Sequence, residues 1–215
     1  MKKLTSLLLT VCMCLSVGVM LTACGQTKDE SYTVKTTVTS DEWKAMFTPT
    51  NVTINGSYDE GGEETVTIKA ADGKWMYIVV ESDETFGEYY LRENDAWYVA
   101  SYENGEWDEE PHIAKWLSDK GEALTLGDVW ERFDGYENMF EQFSYDENLK
   151  AYVQVQEKGY YDSSLNSSVD REIVVYVEDG KLKKIEYYTD MERQTVESNF
   201  LFVNYGTTVI NETAE

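Results

Sequence analysis

Most of the chain alternates apolar and polar positions, and the places where the alternation stops divide it into parts. Side chains of a strand point to opposite faces with a period of two, so an apolar residue at every second position marks a strand with one buried face. Residues 51–57 follow this rule, with Val52 and Ile54 on one face, and residues 65–70 repeat it with Val66, Ile68 and Ala70. Gly61-Gly62 between them suits a hairpin turn. A third strand is predicted over 74–81, after the turn dipeptide Asp72-Gly73, and two more over 87–92 and 96–102, separated by Glu93-Asn94-Asp95. Five strands this close in sequence read as an antiparallel meander. In the third strand Trp75, Tyr77 and Val79 point one way and Met76, Ile78 and Val80 the other, and a strand apolar on both faces needs cover on both.

The period then changes. A short helix is predicted over 113–117, after Pro111, and a longer one over 126–143. Thr125 fits its N-cap, with Asp128 three positions on as in a capping box. Val129, Phe133, Tyr136 and Phe140 follow at steps of four, three and four, which sets them on one helical face. Gly135 weakens the interior, so a kink or two shorter helices are open alternatives. Strands resume over 151–156, 171–177, 181–188 and 195–205, with Glu178-Asp179-Gly180 as one turn. The Ser/Asn/Gly/Tyr stretch between Gln156 and Arg171 reads as a loop, mobile or covering an opening. The expected fold class is α+β: a single large curved antiparallel sheet, a half-barrel, with helices packed on one face, or else an open barrel. No Pro/Gly-rich linker divides it, so residues 41–215 read as one domain.

The N-terminus departs from alternation altogether. Met1-Lys2-Lys3 is followed by an apolar run over 7–21, shorter than the ~20 residues a membrane-spanning helix needs. It reads as the core of a secretory signal peptide over 1–23. The run ends in Leu21-Thr22-Ala23-Cys24, followed by Gly25, and these residues resemble the lipobox of bacterial lipoproteins. That resemblance implies cleavage between Ala23 and Cys24 and lipid, with acyl chains such as palmitate, on the Cys24 sulfur. An uncleaved anchor and an ordinary signal peptide are the alternatives. Residues 24–40 are polar and rich in Thr, Ser and Lys, and read as a lipidated flexible tether.

A second resemblance covers most of the rest. Asp41-Glu42-Trp43-Lys44-Ala45-Met46-Phe47 precedes a meander carrying Gly73-Lys74-Trp75-Met76-Tyr77 and Trp97-Tyr98-Val99. The chain closes on Phe202-Val203-Asn204-Tyr205-Gly206-Thr207-Thr208-Val209-Ile210. This order is similar to the small lipoproteins of Gram-positive gut bacteria that carry a LolA/LppX-like half-barrel. In the better-known members of that family the concave face of the sheet holds acyl chains.

Composition narrows the chemistry. Eighteen Lys and Arg against 41 Asp and Glu give a net charge of −23, which repels nucleic acid and anionic lipid surfaces. The acids lie in short groups such as Asp59-Glu60, Glu63-Glu64 and Asp108-Glu109-Glu110, as on a solvated surface rather than in a disordered acidic tail. The three cysteines are Cys12, Cys14 and Cys24, so a processed domain has no disulfide, thiolate cluster or cysteine nucleophile. The one histidine, His112, follows Pro111 on an expected exposed loop and supports neither a metal cluster nor a triad. No catalytic residue, cofactor or metal site is indicated, and loose calcium binding at the surface stays open.

Aromatic residues are the enriched resource, at 13% of the chain. Trp75, Tyr77, Tyr89 and Trp97 share one sheet face if neighbouring strands pair in simple register, as a platform for an apolar ligand or as plain core. The expected function is a non-catalytic binding module for an apolar or amphipathic ligand such as lipid, anchored through Cys24 outside the cytoplasm. The alternative is a cell-surface interaction or structural protein with an acidic exterior and no ligand cavity.

Overall fold

The computed structural model describes residues 38–58, 64–82, 84–103, 105–162 and 165–211. The signal segment, Cys24, most of the tether and the Gly61-Gly62 turn lie outside these residues. Folded chain begins earlier than a tether over 24–40 allows. Val38 is buried and its N–H donates to the Tyr152 hydroxyl at 2.6 Å. Helix α1, Ser40–Met46, starts at Thr39, whose Oγ1 accepts from the Glu42 N–H while the Glu42 carboxylate accepts from the Thr39 N–H at 2.8 Å. This reciprocal capping box satisfies donors that the first helical turn leaves open.

The first meander is β1 Val52–Tyr58, β2 Glu64–Ala71, β3 Lys74–Glu81, β4 Glu84–Glu93 and β5 Ala96–Glu103. Two short strands, β6 Glu106–Trp107 and β7 His112–Ile113, both pair with β5. After the helical excursion come β8 Ser144–Asp146, β9 Ala151–Asp162, β10 Ser167–Glu178, β11 Lys181–Tyr188 and β12 Val196–Val203. Among the described residues these twelve strands form one antiparallel sheet in the order β6-β5-β4-β3-β2-β1-β12-β11-β10-β9-β8, with β7 also on β5. The first and last long strands therefore meet in the middle, with Ile54 opposite Phe202.

Three expectations change. The helix over 126–143 is a single α-turn, α2 Leu126–Val129, followed by three 3-10 turns at Glu131–Phe133, Tyr136–Asn138 and Phe140–Gln142. Trp130 is extended at φ −138°, and Gly135 has φ 74°, a left-handed conformation that glycine adopts without steric cost. The helix over 113–117 shrinks to a 3-10 turn, Lys115–Leu117, because His112 and Ile113 pair with Val99 and Tyr98. The loop between Gln156 and Arg171 is mostly ladder: β9 and β10 continue past their other neighbours as a two-stranded arm pairing Tyr161 with Ser168.

Burial follows the alternation. One core cluster joins Ile54, Ile68, Trp75, Val79, Ile185 and Phe200 of the sheet to Trp43 and Phe47 around α1 and to Leu126, Phe133, Tyr136 and Phe143 of the excursion. Each such side chain contributes roughly 1.5–3 kcal/mol by leaving water. The intervening strand positions Ala151, Val153, Val174 and Tyr188 form a second cluster. Trp43 ties α1 to the excursion by donating its Nε1–H to the Tyr136 carbonyl at 2.7 Å, and the Leu126 N–H donates to the Phe47 carbonyl at 2.9 Å.

Candidate functional site

The first turn of the excursion is held by charge and by close packing. Thr125 caps α2, donating its N–H and hydroxyl to the Asp128 carboxylate at 2.7 and 2.8 Å, and Lys120 Nζ lies 2.6 Å from the same carboxylate. Burial alone would raise the Asp128 pKa, but Lys120 and the two Thr125 bonds outweigh it and hold the carboxyl below its ordinary value. Gly127 allows the following turn to fold back: a Cβ there would sit 2.7 Å from Asp134 Cα and 2.8 Å from the Phe133 carbonyl oxygen. The close return sends Arg132 toward the sheet.

Two ladder irregularities prepare the sheet to receive it. In the β11–β12 pairing Tyr187 opposes Ser198 but Tyr188 opposes Val196, so Glu197 is an extra residue. In the β9–β10 pairing Val169 opposes Tyr160 but Arg171 opposes Gln156. Bulges of this kind re-aim side chains. Glu197 receives Arg132 on one carboxylate oxygen and Arg171 on the other, the latter through Nη2 at 2.5 Å and Nε at 3.2 Å. Arg132 also donates to Ser198 Oγ at 2.9 Å. Both guanidinium carbons lie over the Tyr187 ring, at 4.8 and 5.1 Å from its centroid. The Glu197 side chain is 1% exposed, against 15% for Arg171 and 20% for Arg132. Tyr187 is fully buried, and its hydroxyl donates to the Arg132 carbonyl at 3.2 Å. Burial drives its pKa well up, so the ring stays neutral under the two cations.

Arg132 and Arg171 both line an open cleft of about 940 Å³. Trp130 and Tyr77 line it as well, in edge contact with centroids 5.2 Å apart. Gln156, Glu64, Glu131, Asp134 and Tyr136 join Asp128 in the lining. Burial first, and then the neighbouring Glu88 carboxylate, raise the Tyr77 pKa above its ordinary value, so this phenol is a neutral polar edge. The cleft thus offers aromatic groups together with hydrogen-bonding, charged groups. A smaller pocket of about 270 Å³, lined by Met76, Tyr89 and Trp107 among others, lies on the opposite sheet face.

The four aromatic residues singled out from the sequence do not share one face. Trp75 opposes Tyr90, so Tyr89, which opposes Met76, points the other way. Trp75 and Trp97 are buried in the main core, leaving Tyr77 as the only one of the four in the large cleft. The mismatch arises because the β3–β4 turn sets the register, which composition does not reveal. His112 is exposed on β7, an edge strand rather than a loop. Among the described residues no group of three or more His, Cys, Asp or Glu is arranged to hold a metal ion. No helix among them is long and apolar enough to cross a membrane. The residues missed are Arg132, Arg171 and Glu197. The chain has only four arginines, and that scarcity was the available signal.

Comparison of the chain with protein-family models, with curated proteins and with solved structures returned no match. The cleft has to be read from its own chemistry.

Proposed function

We propose that the protein is an extracytoplasmic lipoprotein, held to the cell membrane by lipid on Cys24 after removal of residues 1–23. Its sheet is a LolA/LppX-like half-barrel that acts as a non-catalytic binding module for an amphipathic ligand. The observation that carries the binding role is the cleft, whose Trp130 and Tyr77 suit an apolar body and whose Arg132 and Arg171 suit a polar end. Its volume of about 940 Å³ lies within the roughly 300–1,000 Å³ of ligand pockets. A polar lining of this kind favours an amphipathic ligand over a bare acyl chain. Support for the anchor comes from Leu21-Thr22-Ala23-Cys24 behind a basic start.

Native mass spectrometry of the protein purified from its own host tests the binding role. A bound amphiphile that is reduced in Trp130→Ala is the expected result. Repeated absence of any adduct would favour an interaction protein, a reading helped by the dense packing of Leu126, Phe133 and Phe143 against the sheet. For the anchor, Cys24→Ser should abolish incorporation of labelled palmitate, and unchanged labelling would sink it.

A further inference from the structure

The smaller pocket, on the other face of the sheet, has its origin in register. Met76, Tyr89 and Ala100 are cross-strand neighbours on β3, β4 and β5 and form one row. Trp107 of β6 meets the Tyr89 ring edge-on, with centroids 6.1 Å apart, and the Tyr102 ring at 4.9 Å. The short Ala100 side chain leaves room among these larger groups, and a pocket of about 270 Å³ is lined by Met76, Tyr89, Ala100 and Trp107. Every charged side chain in its lining is acidic: Glu93, Asp108 and Glu109. All three are exposed, and none forms an ion pair among the described residues. Asp108 is held in place, its Oδ2 accepting the Ser101 N–H at 3.0 Å. The Trp107 Nε1–H is buried and has no hydrogen-bond partner among the described residues. We infer that this pocket binds a small organic amine bearing an oxygen acceptor, its ammonium among Glu93, Asp108 and Glu109 and its apolar body against Met76, Tyr89 and Trp107.

The physical argument weighs the charge of the occupant. An ammonium gains from the carboxylates, and a weakly hydrated one gains from aromatic rings as well. Lys74 is outside the lining, but its Nζ lies 5.7 Å from the Tyr89 centroid, so this ring already meets a cation within the chain. An anion would meet three like charges and no cation in the lining, and a neutral body gains from apolar contact alone. A bare metal ion needs grouped ligands, and among the described residues no three acids are arranged to supply them. A net charge of −23 draws cations toward the surface in general. The volume is just under the roughly 300–1,000 Å³ of drug-sized sites, which suits a body of one ring rather than a lipid tail. A buried donor without a partner is uncommon, and an oxygen on the occupant would satisfy Trp107. The pocket and its lining are separate from the large cleft, so this assignment stands or falls apart from the amphiphile reading.

Titration calorimetry tests it with three headgroups on one phenylcarbinol body. The full chain, kept soluble in an uncharged amphipol and blanked against amphipol alone, is titrated with 2-amino-1-phenylethanol, 1-phenyl-1,2-ethanediol and mandelate. The salt is held at about 0.15 M, so that charges beyond roughly 8 Å are largely screened. The amine should bind at least about tenfold tighter than the diol, a factor worth roughly 1.4 kcal/mol, and mandelate should bind weakest. Glu93→Gln with Glu109→Gln alters only exposed side chains, and should bring the amine close to the diol. Glu131→Gln with Asp134→Asn makes the same change of charge at the large cleft, and should leave amine binding unchanged. Equal binding of amine and diol, or tighter binding of mandelate, would overturn the assignment. So would an equal loss in the two double variants, which would mean diffuse attraction and not a site. Binding of none of the three would overturn the pocket and leave the large cleft untouched.

Discussion

Among the described residues of this acidic protein two glutamates are buried, and they are held in different ways. Glu172 meets one arginine: Arg193 grips it with Nε at 2.5 Å and Nη2 at 2.9 Å, and the Arg193 side chain remains 30% exposed. That pair is neutral. Glu197 meets two arginines from two distant segments, and both arginines line the open cleft. The Glu172 pair clamps β10 to the turn after β11, whereas the Glu197 cluster ties the excursion to two strands of the sheet. Three of the four arginines in the chain serve these two carboxylates, so the difference between them accounts for most of its strong cationic side chains.

The largest expected effect comes from deleting the shared carboxylate. Glu197→Ala leaves two guanidiniums stacked over one ring without their common partner, and should cost about 3–5 kcal/mol in urea unfolding. A loss under about 1 kcal/mol would mean the cluster is solvated and not structural. Glu172→Ala should cost less, about 1–3 kcal/mol, because the freed Arg193 already reaches water. If Glu172→Ala proves the more damaging, the contrast between the two clusters is wrong.

Smaller effects probe the turn that carries Arg132. Thr125→Ala removes the cap of α2 and should lower stability by about 1 kcal/mol. If the turn positions Arg132, the same change should weaken ligand binding more than it weakens the fold. The mildest test is acid. The Asp128 pKa is lowered in the folded protein, so its contribution is present at neutral pH. It is lost as pH falls below about 4 and passes through the lowered folded value. Asp128→Asn should cost under about 1 kcal/mol at pH 7 and flatten that acid limb. An acid limb identical to the wild type's would exclude Asp128 as a source of pH sensitivity.

How much of this was legible depended on whether the signal was local. β3 and β11 have the bounds their alternation predicts, 74–81 and 181–188, because each is a continuous run between turn signals. The excursion was legible as a buried stripe but not as a backbone. Phe133, Tyr136 and Phe140 pack into or against the core from separate 3-10 turns, and steps of three and four occur in that geometry as well as in an α-helix. Helix α1 carried the signature Thr39-x-x-Glu42, which the reading of residues 24–40 as tether passed over. The arginine cluster had no local signature. Arg132, Arg171 and Glu197 are brought together by two ladder irregularities, and among 41 acids nothing distinguished Glu197.

The meeting of β1 and β12 at the centre of the sheet bears on the order of events in time. Each flanking meander is built from neighbours in sequence and closes short loops, but their junction pairs Thr53 with Val203. Closing so long a loop comes late in folding and slows it. During synthesis the emerging chain can form β1 to β5 while one edge of β1 waits for β12, which is made only after all the other described strands. On the export route proposed above, the placement of β12 would act as a timer that holds off completion of the sheet until that strand is across.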